Sequence, residues 1–251
     1  MTVARNAAAA GVVEPVRGRL WEPLLDLIFP PHCVACGTMG SWFCPACRDR
    51  VQRQEPPLCE RCGRPITSGT ICGHCRRHPL AVDGLRSVAL HRQPLSKAIH
   101  ALKYGGVRVL AAPLGALMAE YAIDLGLVAD ALVPVPLHRA RERQRGYNQS
   151  HLLAREMSVV LRWPVVEALA RLRNTPAQVG LNRAQRLDNV RDAFCATDAA
   201  VAGRRVLLID DVCTTGATLG ACSQALRRAG ARSVWALTLA RAVDIPAKPQ
   251  P

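Results

Sequence analysis

Eight of the eleven cysteines fall in four Cys-x-x-Cys pairs: Cys33/Cys36, Cys44/Cys47, Cys59/Cys62 and Cys72/Cys75. A two-residue gap lets both thiolates of a tight knuckle face one ion, and four thiolates close a tetrahedral zinc site. Eight ligands in this pattern predict two structural zinc ions. Disulfides would suit a secreted scaffold, but no export signal is evident and a large domain with few cysteines follows. A thioredoxin-type pair belongs on a strand–helix turn and not in a tandem array rich in Pro and Gly. Iron–sulfur ligation would also use four thiolates. Seven residues separate Cys36 from Cys44 and nine separate Cys62 from Cys72. The shorter loops of sequential pairing lose less closure entropy than an interleaved scheme. That favours one site from Cys33, Cys36, Cys44 and Cys47 and a second from Cys59, Cys62, Cys72 and Cys75, with the interleaved pairing left open. With enough thiols present, His32, His74 and His78 read as bystanders.

The second chemical signal is Val206-Leu207-Leu208-Ile209-Asp210-Asp211-Val212-Cys213-Thr214-Thr215-Gly216-Ala217-Thr218. An apolar strand would deliver two adjacent acids to its carboxyl end, where open α/β sheets bind ligands. The turn from Thr214 to Thr218, through Thr215, Gly216 and Ala217, would then open a helix. Its N–H groups, hydroxyls and helix dipole would converge on one anion, as suits a phosphate monoester. It is not a Walker loop, because no Gly-Lys-Ser/Thr follows and acids precede the turn. Ionised acids accept hydrogen bonds from hydroxyls, so the ligand should carry both a phosphate and a vicinal diol, as a ribose 5-phosphate does. The bland alternative is a buried strand whose Asp and Thr residues cap the next helix. Caps alone do not require two acids and three threonines together. Cys213 reads as a small residue in a tolerant position, since no base is identifiable beside it.

Two further stretches are dense in arginine. Residues 138–149 carry Arg139, Arg141, Arg143 and Arg145 against Glu142, and residues 171–191 carry Arg171, Arg173, Arg183, Arg186 and Arg191 against Asp188. Arginine forks match phosphate oxygens as a point charge does not. Without the acidic loop, the same runs would read as a solvated or nucleic-acid-facing surface. His138 is an acid–base candidate, although isolated histidines are more often structural.

These groups need elements to hold them. Residues 1–19 lack periodicity and read as a flexible leader. Residues 20–80 read as a helix (Leu20, Leu24, Leu27 and Ile28 on one face, stopped by Pro30 and Pro31) followed by the cysteine module, which is too small to fold by burial alone. Residues 81–245 form the third unit. There, strands are expected at 85–90, 131–135, 206–209 and 234–239, and helices at 95–102, 109–125, 150–161 and 217–229. Apolar strands separated by helices predict an α/β domain with a parallel sheet covered on both faces. The chain has 251 residues, is 49% hydrophobic and only 4% aromatic, and carries a formal net charge of +14. That length and apolar content exclude a wholly disordered protein, and the charge predicts anionic partners. No apolar run approaches the ~18 residues of a spanning helix, and no signal peptide is evident, so a cytoplasmic protein without membrane insertion is expected.

The segment of strand, paired acids and Thr-Thr-Gly-x-Thr resembles the phosphoribosyl pyrophosphate (PRPP) loop of type I phosphoribosyltransferases. The layout, with cysteine pairs first and this loop last, resembles the ComF family of bacterial competence proteins and their GntX-like relatives. The likeness runs from about residue 20 to 241 and includes Phe29-Pro30-Pro31-His32-Cys33, Leu102-Lys103-Tyr104-Gly105-Gly106 and Val133-Pro134-Val135-Pro136-Leu137. It continues through Arg143-Gln144-Arg145-Gly146-Tyr147-Asn148-Gln149 and Gln178-Val179-Gly180-Leu181-Asn182-Arg183.

The resemblance implies a type I phosphoribosyltransferase-like parallel sheet flanked by helices, preceded by a small zinc-ribbon module. It implies that Asp210 and Asp211 bind ribose hydroxyls and residues Thr214 to Thr218 the 5-phosphate. It places pyrophosphate or lid contacts at Lys103, Tyr104, Arg143, Arg145, Gly146, Tyr147, Asn148, Arg173, Gln178 and Arg183, with residues 171–191 as the closing loop and magnesium accompanying PRPP. The implied activity is magnesium-dependent phosphoribosyl transfer with release of pyrophosphate, linked to DNA uptake. The competing function is a non-catalytic, PRPP-responsive accessory protein that binds single-stranded DNA or a competence helicase. The acceptor and the oligomeric state are left open.

Overall fold

A computed structural model describes residues 30–173 and 193–242. The expected helix over Leu20 to Ile28 lies outside them, as does most of the expected closing loop, including Gln178 and Arg183.

The cysteine module comes first and repeats one plan. Each knuckle is pinned by a single antiparallel bridge, His32 with Met39 and Leu58 with Pro65. Each then enters a one-turn helix, α1 (Pro45–Asp49) and α2 (Gly73–Arg77), capped by Cys44 and Cys72. In both repeats the N–H of that third cysteine donates to the sulfur of the first, Cys44 to Cys33 and Cys72 to Cys59. Within each quartet the sulfurs all lie within 4.8 Å of one another, in the sequential pairing that loop entropy favours. Cys36 and Cys44 Sγ are 3.6 Å apart, and Cys62 and Cys72 Sγ 3.7 Å. Four sulfurs ~2.3 Å from one zinc sit about 3.8 Å apart, so the quartets have the size of tetrahedral thiolate sites and not of disulfides.

Beyond the module, four strands form an all-parallel sheet in the order β1 (Gly84–Leu90), β6 (Ser233–Arg241), β5 (Arg205–Cys213), β2 (Ala131–Pro134). Residue Val165 adds a parallel bridge outside β2, opposite Leu132. Alternation sorts the β5 run onto two cores. Leu207 and Ile209 face one side, packed with α3 (Leu95–Tyr104), α4 (Ala111–Asp124) and α6 (Gln149–Leu161). Val206 and Leu208 face the other, with α7 (Ala217–Arg228) and the antiparallel pair β3 (Leu169–Arg171) and β4 (Phe194–Ala196). Being buried on both faces is what makes the run continuously apolar. Gly84 is required by packing, because a Cβ there would meet the Trp235 ring at 2.3 Å.

Four elements differ from expectation. A seven-residue helix, α5 (Arg139–Arg145), fills the first arginine-rich segment. It buries no residue, so it has no apolar periodicity to betray it. The three-residue strands β3 and β4 are too short for a period-2 signal. A 3₁₀ turn (Arg108–Leu110) precedes α4, whose Pro113 sits in the first turn, where a missing N–H costs little.

The module and the sheet share one body. The first quartet joins the core of α3, α4 and α6 through Cys33, Phe43, Cys44, Cys47 and Val51. Leu85 N–H donates to Arg61 O (2.8 Å) and Leu90 N–H to Gln52 O (2.9 Å), so the module covers the free edge of β1. Covering that edge removes unpaired strand groups that would otherwise invite association. Among the described residues, no helix is long and apolar enough to cross a membrane.

Because the first quartet joins the main core and the second, a small cluster of its own, is tied to the sheet domain through Leu80, stripping zinc should lower the melting temperature of the whole chain by more than ~10 °C. The melt followed by circular dichroism should remain a single transition, and elemental analysis should return two zinc ions per chain. A sheet melting unchanged after chelation would show that the metal sites do not support it.

Candidate functional site

Strand β5 carries Asp210 and Asp211 to the carboxyl edge of the sheet, where Asp210 stands opposite Thr238 of β6 and Val212 opposite Ala240. Being adjacent on a strand, the two carboxylates point to opposite faces and meet different partners. Asp211 is 3% exposed and pairs through Oδ1 with Lys103 Nζ at 2.8 Å. Its Oδ2 is buried and has no hydrogen-bond partner in the protein. Asp210 is half-buried; its Oδ1 accepts from Ser150 Oγ and from Asp211 N–H, each at 2.9 Å.

The charges here are mutually adjusted. Burial, then the neighbouring Asp211, pushes the Asp210 carboxyl up to about 7, against the pull of Lys103 and the hydrogen bonds from Ser150 and Asp211 N–H. Burial opposes the charge on Lys103, but the Asp211 carboxylate outweighs it and holds the ammonium above its ordinary value. His91, just past β1, is held below its usual value by burial and then by Lys103, with Asp211 opposing.

The turn after β5 has the shape an anion site needs. Thr214, Thr215 and Thr218 are half-buried, while Gly216 and Ala217 are buried. Thr215 Oγ1 accepts from Ala217 N–H at 3.3 Å. Gly216 stands at the N-cap of α7 at φ +84°, in the left-handed region, and has no side chain to turn onto the first N–H groups. A Cβ at that position would also meet Leu80 Cδ2 at 3.2 Å. The positive end of α7 is therefore not covered by its own cap residue. Cys213 is buried within β5, and burial raises its thiol, as befits a packing residue.

Two cavities flank α5. One, of about 390 Å³, is lined by Lys103, Tyr104, Gly106, Arg141, Gln144, Arg145 and Tyr147. The other, of about 300 Å³, includes Arg139, Glu142, Asn148, His151, Glu167 and Arg171 in its walls. The turn 214–218 lines neither; Lys103 is the residue that joins the acid pair to the larger cavity.

The sequence candidates separate into three groups. Lys103, Tyr104, Arg145 and Tyr147 share the larger cavity. Tyr147, Gly146 and Asn148 have bracing contacts. Tyr147 Oη donates to Leu102 O beneath the Arg108 guanidinium, Gly146 O accepts from Arg108, and Asn148 caps α6 while donating to Val135 O. Arg143 and Arg173 are exposed and line neither cavity. His138 is the N-cap of α5, its Nδ1 accepting from Ala140 N–H, which fits a structural role. Ser150 and His91 escaped the sequence reading. A serine two residues after a helix-capping Asn is ordinary, and only the fold brings it to Asp210.

Several comparisons bear on the whole chain. The Double zinc ribbon domain family matches residues 24–76, and the Phosphoribosyl transferase domain family matches residues 148–250. The DNA utilization protein YhgH of Escherichia coli (strain K12) is 35% identical over 227 residues, covering 86% of this chain and 99% of that protein. Competence protein F of Haemophilus influenzae is 31% identical over 226 residues, covering 80% and 98% respectively. Among solved structures, glutamine phosphoribosylpyrophosphate amidotransferase from B. subtilis matches at 23% identity with a TM-score of 0.38, over 51% of this chain and 26% of that one.

The raised Asp210 gives a pH test. A carboxyl whose folded value lies near 7 favours the fold while protonated, and that contribution is lost as pH climbs from about 4 to about 7. Asp210→Asn keeps the oxygen that accepts from Ser150 and Asp211 N–H but cannot ionise. Its melting temperature should therefore exceed that of the native chain by a few degrees at pH 8 and match it at pH 4. A gain that is equal at both pH values would place the Asp210 carboxyl at an ordinary value.

Proposed function

The chain belongs to the ComF family of double-zinc-ribbon, phosphoribosyltransferase-domain proteins, and from that premise we propose that it binds PRPP at the end of β5 and transfers its phosphoribosyl group, in a process linked to DNA uptake. The observation that carries this reading is the unpartnered Oδ2 of Asp211. A buried carboxylate oxygen without a donor costs ~1–3 kcal/mol or more, and a ribose hydroxyl is a donor of the right kind.

In this reading Asp210 and Asp211 hold the two ribose hydroxyls. The 5-phosphate rests on the residues Thr214 to Thr218 at the start of α7, where main-chain N–H groups and the helix dipole favour an anion. Pyrophosphate lies toward Lys103, Arg141 and Arg145, the cations of the larger cavity. In transfer, the bond from the anomeric carbon to pyrophosphate breaks as the acceptor bonds to that carbon. The ring oxygen shares positive charge meanwhile, and the protein's part is orientation and charge stabilisation. A magnesium ion bound with PRPP would neutralise part of the leaving group's charge, with Asp210 and Asp211 the carboxylates at hand. Binding favours ionised acids, so affinity should rise as pH passes through the Asp210 value near 7.

Asp210→Asn combined with Asp211→Asn should weaken PRPP binding at least ~100-fold while the circular-dichroism spectrum stays native, because two charge-assisted hydrogen bonds are lost. Isothermal titration with PRPP and magnesium measures this, and unchanged affinity would overturn the pocket assignment. Incubation with PRPP, magnesium and a panel of nucleobases and amines should release pyrophosphate. Tight binding without release across that panel would favour a PRPP-responsive accessory protein acting on DNA or a helicase.

A further inference from the structure

The smaller cavity has no task in the sugar-phosphate reading, and its lining differs in kind from that of the larger one. Every ionisable side chain around the larger cavity is a cation or a tyrosine. The smaller, of about 300 Å³, sets Arg139 and Arg171 against Glu142 and Glu167, together with His151. Pyrophosphate, whose charge is wholly negative, has no use for two glutamates. A small ligand with an acid at one end and an N–H group at the other does. Apolar Pro134, Pro136, Leu137 and Leu169 complete the walls, and the volume suits a small molecule of about one ring.

Its position suits an acceptor. Asp211 is tied through Lys103 to the larger cavity, whereas Asp210 is tied to Ser150, whose neighbour His151 stands in the wall of the smaller. Burial and then Arg141 hold the Arg171 guanidinium below its ordinary value. Asp210 is among the groups opposing them, so that carboxyl lies within charge range of the same wall. A ribose held by both acids would therefore have one cavity on either hand. Displacement at its anomeric carbon needs the entering and leaving groups on opposite sides of that carbon, in line with it.

His151 also has the chemistry. In the first turn of α6, its Nδ1 lies 2.5 Å from Glu167 Oε1. An ionised glutamate only accepts, so Nδ1 carries the proton and Nε2 is the basic nitrogen. We propose that the smaller cavity binds the acceptor, a small nitrogen nucleophile bearing a carboxylate, with Arg139 and Arg171 on the carboxylate and His151 as the base. As the nitrogen bonds to the anomeric carbon, the carbon–oxygen bond to pyrophosphate breaks and its electron pair leaves with the pyrophosphate oxygen. The proton of the nitrogen passes to His151 Nε2. Glu167 is a positioning residue that holds the imidazole in this tautomer. The proposal rests on the sugar-phosphate reading above and adds the acceptor to it.

The test follows pyrophosphate release from PRPP and magnesium by the full, zinc-loaded chain. The probes are imidazole-4-carboxylate against imidazole, and 4-aminobenzoate against aniline. In at least one pair the carboxylate should raise kcat/KM at least tenfold. Arg139→Ala should raise KM for that probe about tenfold and leave KM for PRPP within about twofold. His151→Asn should lower kcat at least ~100-fold with both KM values kept, and Glu167→Gln about tenfold. His151→Gln serves if His151→Asn loses the native circular-dichroism spectrum. No release from any probe, no gain from the carboxylate, or native kcat in the His151 variant each overturns the proposal. So does an Arg139→Ala effect that falls equally on PRPP, which would give the cavity to pyrophosphate. Isothermal titration with PRPP and magnesium separates two kinds of failure. PRPP bound without release sinks the acceptor site alone, whereas no PRPP binding sinks the sugar-phosphate reading beneath it.

Discussion

Two adjacent carboxylates at the end of a buried strand are electrostatically costly, and the architecture around β5 is arranged about that cost. Alternation on the strand gives Asp210 and Asp211 different partners, but each is partly dehydrated and Asp211 still acts on Asp210. Lys103 offsets the Asp211 charge from the end of α3, and Ser150 supports Asp210 from the start of α6. Compensation is incomplete on both sides: Asp210 holds its proton toward neutral pH, and one oxygen of Asp211 goes without a donor. Natural cores seldom leave such groups unsatisfied, and unmet polar demand concentrates where a ligand supplies the missing partner.

The rear of the site is equally constrained. Residues between the second cysteine quartet and β1 run beneath the turn 214–218 and the start of α7. Leu80 packs against the second quartet and also lies over Gly216. Ala81 O accepts from Ser223 Oγ of α7 at 2.7 Å, and Asp83 pairs with Arg227 farther along that helix. Arg241, buried at the end of β6 and in register with Cys213, donates to the carbonyl of Cys62. The second quartet thus packs, through Leu80, beneath the turn 214–218, whereas the first packs against α3 and α4. Modules too small to fold by burial alone gain from such docking, and the sheet gains a covered edge.

Much of this was legible in the residues. The cysteine pairing followed from spacing and loop entropy, because a tetrahedral thiolate site is a local geometric demand. The strand at 206–209 followed from its continuous apolar run, and the helices expected at 95–102, 109–125, 150–161 and 217–229 appear as α3, α4, α6 and α7. What escaped was of two kinds. The hairpin of β3 and β4 is too short to carry a period. The partners of the acids, Ser150 and His91, come from distant segments and have no local pattern. The docking of the module onto β1 runs largely through main-chain groups, Arg61 O and Gln52 O among them, and main-chain groups leave no trace in side-chain identity.

Helix α5 is the instructive exception, because it contributes nothing to the core. A seven-residue helix is below the length at which isolated helices hold in water, so local devices must sustain it. His138 caps its first turn, Gly146 closes it at φ +80°, and the next residue, Tyr147, is anchored beneath Arg108. Those devices stabilise a segment whose interior reads Arg-Ala-Arg-Glu-Arg-Gln-Arg, in which like charges repel and no apolar face repays the order imposed. A fold with no use for that charge would do better with a plain polar turn between β2 and α6. Holding arginines in a fixed array between two cavities is what the helix achieves, and the proposed pyrophosphate would give that array its use.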